Sequence, residues 1–388
     1  MIALWLIISL LTVKPDWGFF GHTLINRLAV YTLPDDMIGW YKPNIDYIAE
    51  HAVDPDKRRY ANRFEAVRHY IDLDQWGTFP FDHMPRYWDK ALALNIEVFS
   101  LRGVDTIFFV NALPPSMWGD TIADFKARLN LVRDVYLGKY YADEAIITSD
   151  SLKIYFPDAA CRSTDVLYIE DKLSAHGIVP YHLQSMQKRL TNAFRAGDYD
   201  NIMRLSAEMG HYVADACVPL HTTSNYNGQL TDQVGIHAFW ESRIPELFAI
   251  DEFDMVVGTA TYIDKPVDYF WNLVLMSHKQ VDSVLMIEKR LSQTFPSDQQ
   301  FCYEDRNNQN IRTQCVGYAR AYHQTMDKMV EDRFRVAVKA VGDAWYTAWI
   351  DAGQPDAPVN KTLSKRTKDD EELDAAFNSR KGKGREHE

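Results

Sequence analysis

Residues 210–221 read GHYVADACVPLH and close a long stretch of helical pattern. From about residue 185 to 216 apolar residues recur at helical spacing, and the pattern is interrupted at RAGDYD (195–200). His211 and Asp215 are four residues apart, so they lie on one face of a helix, where an imidazole and a carboxylate can reach the same ion. The stretch therefore predicts either a metal-ligating helix, completed by His221, or a helix that carries polar residues by chance.

The composition is that of a large globular domain. The chain has 388 residues, of which 46% are hydrophobic, enough for a sizeable core. Helical spacing also occurs in residues 22–33, 59–73 and 317–349, so we expect a mainly α fold in a single domain over residues 17–352. The net charge of −12 argues against a protein that mainly grips a phosphate polymer, unless divalent cations reverse the charge locally.

Two segments depart from the helical pattern. Residues 78–180 are rich in proline, glycine and aromatic residues, and DTIFFVNALPP (105–115) and LKIYFPD (152–158) are short strands or loops in this interpretation. We expect this region to be an inserted or elaborated segment beside the site. Residues 353–388 are almost entirely charged and polar, which predicts a solvated, disordered tail.

The N-terminus and the cysteines bear on the compartment. Residues 2–13 are uniformly apolar but too short to span a bilayer, which favours a signal peptide over residues 1–16 and an exported, soluble protein, periplasmic or secreted. A buried N-terminal helix is the alternative. Cys302 and Cys315 bracket a polar loop and either form a disulfide in an oxidising compartment or remain free thiols.

Spacing alone does not identify metal ligands. The chain has four His/acid pairs four residues apart, at 211/215, 237/241, 278/282 and 323/327, where about two are expected by chance. Clustering is more informative, because His211, Asp215, His221, His237 and Glu241 fall within one stretch of about thirty residues. Imidazole and carboxylate donors without a thiolate suit zinc in a hydrolytic site.

Joined with the N-terminal motifs, this cluster resembles the zinc-dependent phospholipase C and S1/P1 nuclease superfamily. WGFFGH (17–22) matches the W-G-x-x-G-H opening of the nuclease branch, and Asp54 precedes His69 by fifteen residues, as in the family. HYVADACVPLH matches H-x3-D-x5-H, and HAFWE (237–241) matches the closing H-x3-[E/D]. The resemblance implies a phospholipase C/P1 nuclease-like helical domain with a trinuclear zinc cleft.

The resemblance also implies a ligand set for each of three zinc ions. One ion takes Asp54, His69, His211 and Asp215; a second takes His221, His237 and Glu241; the third takes the amine and carbonyl of Trp17, His22, and Asp215 as a bridge. Trp17 can use its amine only if the chain is cut just before it. The pairs at 278/282 and 323/327 have no counterpart in the family, so we expect them to be structural.

The implied reaction is phosphodiester hydrolysis by a metal-activated water, with Asp54 orienting or deprotonating that water. Glu241 in the last pair, and the GIH that leads into it, favour a phospholipase C-like enzyme acting on phospholipid or another phosphodiester. The WGFFGH opening keeps a single-strand nuclease or nucleotidase open, with nucleic acid as substrate. An inactive, zinc-stabilised binding protein is a third hypothesis.

Arg58 and Arg59 either reach substrate phosphate or lie on a solvated helix face. No stable protein partner is implied.

Overall fold

Helices make up most of the protein. A computed structural model describes residues 19–62, 64–118, 122–137, 145–306, 309–357, 363 and 371–375. The predicted signal peptide and Trp17 lie outside these residues. The helices of the main body are α1 (Phe19–Val30), α2 (Asp35–Tyr41), α3 (Ile45–Glu50), α4 (Asp54–Arg58), α8 (Val179–Ala196), α9 (Tyr199–Ala216), α10 (Ile236–Ala238), α11 (Ile244–Glu252), α12 (Pro266–His278), α13 (Val281–Thr294), α14 (Val316–Thr325) and α15 (Met329–Asp351).

Three long helices form the centre of the main body. α8 and α9 pack against each other and against α15, and α1 lies on α9 and α15. The predicted break between α8 and α9 falls at Gly197, whose φ of +63° suits glycine, and the Asp198 side chain accepts a hydrogen bond from the backbone N–H of Asn201. α9 is buried along nearly its whole length, so the polar residues of GHYVADACVPLH lie inside the protein. The mainly α expectation is confirmed.

A separate lobe occupies the middle of the segment predicted as an insertion. α5 (Trp88–Asn95) leads into it, and the lobe contains β1 (Ile96–Arg102), β2 (Asp105–Val110), α6 (Phe125–Leu131), β3 (Ala145–Ile147), α7 (Ser149–Tyr155) and β4 (Leu167–Asp171). The strands form an antiparallel sheet in the order β2-β1-β4-β3. One sheet face packs with α5, α6 and α7 around an apolar cluster distinct from the main core. We call residues 96–171 the sheet lobe.

The chain enters and leaves the sheet lobe at neighbouring points. Ile96 pairs with Asp171 across β1 and β4, and the N–H of Lys172 donates to the carbonyl of Asn95 at 2.9 Å. The strand expected in DTIFFV is β2. Residues 152–155 are helical instead, because Thr148 accepts a hydrogen bond from the N–H of Ser151 at the start of α7 and Leu152 packs into the lobe core.

Two features lie outside this plan. A hairpin of β5 (Phe301–Arg306) and β6 (Gln309–Gln314) is closed by a disulfide between Cys302 and Cys315, which resolves the alternatives for that pair.

The described parts of the tail contact the main body rather than solvent alone. Trp40 and Trp349 both donate to the carbonyl of Pro355, and Asp374 pairs with Lys57 at 2.9 Å. Among the described residues, no helix has the length and apolarity needed to cross a membrane.

Candidate metal centre

Six segments of the main body bring their polar residues to one buried place. α1 carries His22, α4 carries Asp56, and a short turn after residues 66–68 carries His69. α9 carries His211 and Asp215, and the turn Pro219–Thr222 carries His221. His237 and Glu241 come from α10 and the π-helical segment Phe239–Arg243 that continues it. Side chains at 22, 56, 69, 211, 215, 221 and 237 are buried, and Glu241 is 15% exposed.

A close helix contact fixes α1 beside α9. The side-chain amide of Asn26 donates to the carbonyls of Ile48 and Ala207, at 3.1 and 3.0 Å. Gly210 lies directly opposite, and a Cβ at that position would stand 1.9 Å from the Asn26 Oδ1. Glycine at 210 therefore allows the approach that puts His22 over His211, with ring centroids 4.0 Å apart.

The first donor set lies between α4, the His69 turn and α9. His69 Nδ1 is 3.0 Å from both His211 Nε2 and Asp215 Oδ2, and His211 Nε2 is 3.3 Å from Asp215 Oδ2. Asp56 Oδ1 is 3.8 Å from His69 Nδ1 and 3.7 Å from His211 Nε2. Two ring nitrogens and two carboxylate oxygens thus face one point.

The second donor set is made by His221, His237 and Glu241. Glu241 Oε2 is 3.3 Å from His221 Nε2 and 2.7 Å from His237 Nε2. The Nδ1 of His221 is 2.7 Å from the carbonyl of His69, and that of His237 is 3.0 Å from the carbonyl of Tyr226. Because a carbonyl only accepts, each Nδ1 carries a proton, and Nε2 is the ring nitrogen that faces the centre and would become the ligand atom when a metal ion displaces its proton.

Two carboxylates join these sets through His22. Asp215 turns Oδ2 toward the first set and Oδ1 toward His22 Nε2, at 3.5 Å. Glu241 turns Oε2 toward the second set and Oε1 toward His22 Nε2, at 3.4 Å. His22 and the two free oxygens define a third set between the others. Trp17, the further ligand expected there, lies outside the described residues.

Asp54, the carboxylate expected from the sequence, is not in this centre. Its Oδ2 is 2.5 Å from His51 Nδ1 and its Oδ1 is 3.7 Å from Lys57 Nζ. α4 begins at Asp54, and a residue two positions along a helix points about 200° away around the axis. Asp56 therefore faces His69 and His211 while Asp54 faces His51. The sequence DPD (54–56) contains both aspartates. The fifteen-residue spacing to His69 pointed to Asp54, whereas the structure places Asp56 beside His69 and His211.

The two arginines predicted to reach substrate have different surroundings. The Arg59 guanidinium is 2.9 Å from Asp56 Oδ1, so it lies at the edge of the first donor set. Arg58 turns away from the centre and donates to Glu208 at 2.6 Å. Arg59 is the one whose charge borders the candidate ligands.

Behind His69 lies a buried carboxylate that sequence reasoning missed. Glu65 is fully buried, and its Oε1 is 4.0 Å from His69 Nε2, on the ring edge opposite the donor set. Arg68 pairs with Glu65 at 2.7 Å, and the hydroxyl of Tyr212 donates to it. A carboxylate behind a ligand imidazole orients the ring and increases its basicity. No motif marks Glu65, since only the fold brings it behind His69.

The charges of the centre favour a cation. Burial alone would raise the pKa of Asp215, yet His211 and His221 hold it well below its usual range. Burial opposes the charged form of His221 as well, but Asp215 and Glu241 raise its pKa to about 9. Burial lowers the pKa of His69 to about 4, so that ring is neutral and able to ligate. Ionised, buried carboxylates need a cation to offset their lost hydration.

The spacing of the donors also fits a metal ion. The side chains form three groups in which the potential ligand atoms lie within 4.8 Å of one another. Zinc with bonds of about 2.0–2.1 Å in tetrahedral geometry places its donor atoms about 3.3 Å apart. The distances of 3.0 to 3.8 Å in the first set bracket that value. The groups at 56/69/211 and 221/237/241 could therefore hold metal ions, and so could the group at 22/211/215, which shares His22 and Asp215 with the third set and has His211 in place of Glu241.

The two remaining His/acid pairs lie away from the donor sets. His278 Nδ1 is 3.0 Å from the carbonyl of Thr222, and the His323 ring stacks on Phe248. No family model matches the chain, and no curated protein matches it.

Proposed function

We propose that the protein is a zinc-dependent phosphodiester hydrolase of phospholipase C type. The observation that carries the proposal is the pair of bridging carboxylates, Asp215 and Glu241, each of which offers one oxygen to His22 and the other to a second donor set. Shared carboxylates place cations close together, which is the arrangement used to hydrolyse phosphate esters. The resemblance in the sequence motifs points to the same chemistry.

Zinc is the metal that the donors fit best. The groups contain imidazole nitrogens and carboxylate oxygens, and no thiolate is among them. Bound zinc supplies Lewis acidity, which acidifies water near neutral pH and stabilises negative charge on phosphoryl oxygens. The first ion would be held by Asp56, His69, His211 and Asp215, the second by His221, His237 and Glu241, and the third by His22 with the free oxygens of Asp215 and Glu241.

The chain's own residues supply positioning and proton transfer. Asp56 takes the role first assigned to Asp54: its carboxylate borders the first donor set and can orient a water molecule and accept its proton. Asp54 is less suited, since it faces His51 and Lys57 and lies outside the donor sets. Arg59, beside Asp56, is positioned to bind a non-bridging phosphate oxygen. Glu65 lies behind the His69 ring, with its Oε1 4.0 Å from Nε2, and adds negative charge on that side.

Phospholipid is the favoured substrate class. The closing ligand is a glutamate, as in the phospholipase C branch, and the net charge of −12 disfavours a nucleic acid polymer. The nuclease-like opening WGFFGH (17–22) keeps a single-strand nuclease or nucleotidase as the second candidate.

The test is a paired assay of protein processed to start at Trp17. Phosphatidylcholine and single-stranded DNA are each incubated with the zinc-loaded protein and again after chelation, and bound metal is counted by mass spectrometry. Zinc-dependent release of diacylglycerol, with DNA left intact, is the expected result. Release of nucleotides without lipid cleavage would replace the substrate class and keep the metal centre.

Two histidine variants make the assay specific to the centre. His237→Ala removes a ligand of the second set and should abolish turnover, whereas His83→Ala, at an exposed histidine, should leave it unchanged. Zinc-loaded protein that cleaves neither substrate nor a simple phosphodiester would indicate a binding protein instead.

A further inference from the structure

The outer face of the sheet in the sheet lobe carries an apolar row. Phe99 on β1 pairs with Phe108 on β2 and with Tyr168 on β4, and Tyr168 pairs with Ile146 on β3. The four side chains therefore form one line across all four strands. The Phe99 ring stacks on Tyr168 and tilts against Phe108, with both centroid separations 5.7 Å.

This face is open, whereas the opposite face is covered. Side chains at Ile96, Val98 and Ile169 point to the other face and are buried in the lobe core. On the open face Ile146 is 56% exposed and Phe108 is 45% exposed. Contiguous exposed apolar surface on a soluble protein marks an interaction site.

The β1–β2 hairpin extends this surface to its turn, and we call Leu101 and Val104 the tip. Leu101 is 58% exposed and Val104, in the turn, is completely exposed. Gly103 precedes Val104 with a φ of +67°, a conformation that suits a tight turn. Apolar side chains exposed to this extent at a hairpin turn favour insertion into a fluid apolar medium over packing against a rigid partner.

The charges on the face indicate what kind of surface it meets. Glu97 and Glu170 lie on the open face by strand alternation, and Lys172 beside them pairs with Glu170 at 2.8 Å and with Glu97 at 3.4 Å. Arg102 has the parity of the covered face and makes a bidentate ion pair with Asp165, at 3.1 and 2.7 Å. The open face thus presents no unpaired basic group next to its apolar row among the described residues, and the whole chain carries −12, so the face lacks the positive charge that attracts a protein to an anionic surface.

A second copy of the chain fits this face less well than a lipid surface. Face-to-face stacking would bury Glu97, Glu170 and Lys172 opposite the same three groups of the other copy, and burying charges in this way is costly. At a zwitterionic bilayer those groups remain among hydrated head groups while the apolar row and the tip are desolvated.

Backbone hydrogen bonds connect the lobe to the metal centre. β4 leads into residues 174–177, where the carbonyl of His176 accepts from the N–H of Asp72. The neighbouring N–H of Ile71 donates to the carbonyl of His221, a candidate ligand. A surface that binds the lobe therefore also fixes the position of the metal centre relative to that surface.

We propose that the open face of the sheet lobe docks the protein on zwitterionic phospholipid, with Leu101 and Val104 entering the interface between head groups and acyl chains. The proposal rests on the proposed function, since it places the protein at its lipid substrate. It assigns the lobe a binding role separate from hydrolysis.

The test measures attachment without turnover. Sucrose-loaded vesicles of phosphatidylcholine are sedimented with the protein processed to start at Trp17, in the presence of a chelator that withholds the metal needed for phosphodiester cleavage. Leu101→Glu and Val104→Glu should each lower the vesicle partition coefficient by about tenfold or more, because each removes an apolar side chain from the interface. Ile154→Glu is the matched control, as Ile154 is 74% exposed on α7, on the covered side of the sheet, and it should retain wild-type binding.

The outcomes separate this proposal from the proposed function. Replacing a fifth of the lipid by phosphatidylserine should not strengthen binding. No binding by the wild type, an equal loss in the Ile154 variant, or a wild-type dimer in light scattering that Leu101→Glu dissociates would each overturn docking.

Hydrolysis of short-chain phosphatidylcholine below its micellar concentration tests the centre alone. The tip variants should keep that activity, and its absence from the wild type would contradict the proposed function without touching the docking result.

Discussion

Asp56 and Asp54 provide the sharpest test of the centre at the scale of single residues. Asp56→Asn should weaken zinc binding by the first donor set by an order of magnitude or more, because a neutral amide replaces a charged ligand beside His69 and His211. Asp54→Asn, at a carboxylate engaged by His51, should leave the zinc stoichiometry unchanged. Metal analysis after dialysis against a weak chelator measures both, and zinc loss in the Asp54 variant alone would restore the first assignment.

His182 predicts a pH dependence of stability that has nothing to do with turnover. It is buried against the Tyr212 ring, and in the described part of the chain neither ring nitrogen has a hydrogen-bond partner. Burial, with Arg68 and Arg189 nearby, lowers its pKa well below the ordinary value. The unfolded chain then binds a proton that the folded protein does not, so stability falls as the pH drops below about 6.5, by up to about 1.4 kcal/mol per pH unit.

Replacing that ring tests the sign. His182→Phe should make the free energy of unfolding less dependent on pH between about 6.5 and 5 than it is in the wild type. Denaturant unfolding at a series of pH values measures this slope. His83→Gln, at an exposed histidine, should retain the wild-type slope, and a steeper slope in His182→Phe would contradict the assignment.

At the scale of helices, the contact between α1 and α9 depends on Gly210. Gly210→Ala puts a methyl group 1.9 Å from the Asn26 Oδ1, so α1 must move or Asn26 must break its bonds to two carbonyls. We expect a loss of about 1–3 kcal/mol in the free energy of unfolding, together with weaker zinc binding, because α1 carries His22. Gly39→Ala is the control: its Cβ meets only Ala357, at 3.5 Å, and helix propensity should make it neutral or slightly stabilising.

The same scale shows what local pattern can and cannot predict. α8 and α9 follow from apolar spacing because each buries a continuous stripe, and Gly197 marks the break between them. The helical stretch predicted over residues 317–349 is divided into α14 and α15, because Asp327 and Lys328 adopt positive φ values between them. α7 does not, since its few apolar residues fit a strand or a loop equally well and only packing on the sheet decides. The motif pattern predicted that His69, His211 and His221 would lie together, and the structure brings them to one buried place. That Asp56 rather than Asp54 lies beside them depends on the helix phase, and the position of Glu65 depends on the tertiary fold.

For the whole molecule, the centre joins segments from His22 to Glu241, so its metal should stabilise the native state. Ions present at about a thousand times their dissociation constant add about 4 kcal/mol, which is a shift of roughly 5–10 °C in Tm for a protein of this size. Chelation should lower Tm by that amount, and zinc should restore it where magnesium does not. Equal melting temperatures with and without chelator would show that the donor sets bind no metal ion that stabilises the native state.

The adjacent entry and exit of the sheet lobe make it an exchangeable cassette. Asn95 and Lys172 are joined by one backbone hydrogen bond, so a two-residue Asn-Gly reverse turn can replace residues 96–171, with Leu92 and Ala93 made polar because they would lose their partners. The shortened protein should hydrolyse short-chain lipid at the wild-type rate and fail to sediment with vesicles. Fused to a soluble carrier together with α5, whose Leu92 and Ala93 complete its apolar cluster, the lobe should confer that sedimentation, so the docking surface could be exchanged without altering the candidate metal ligands.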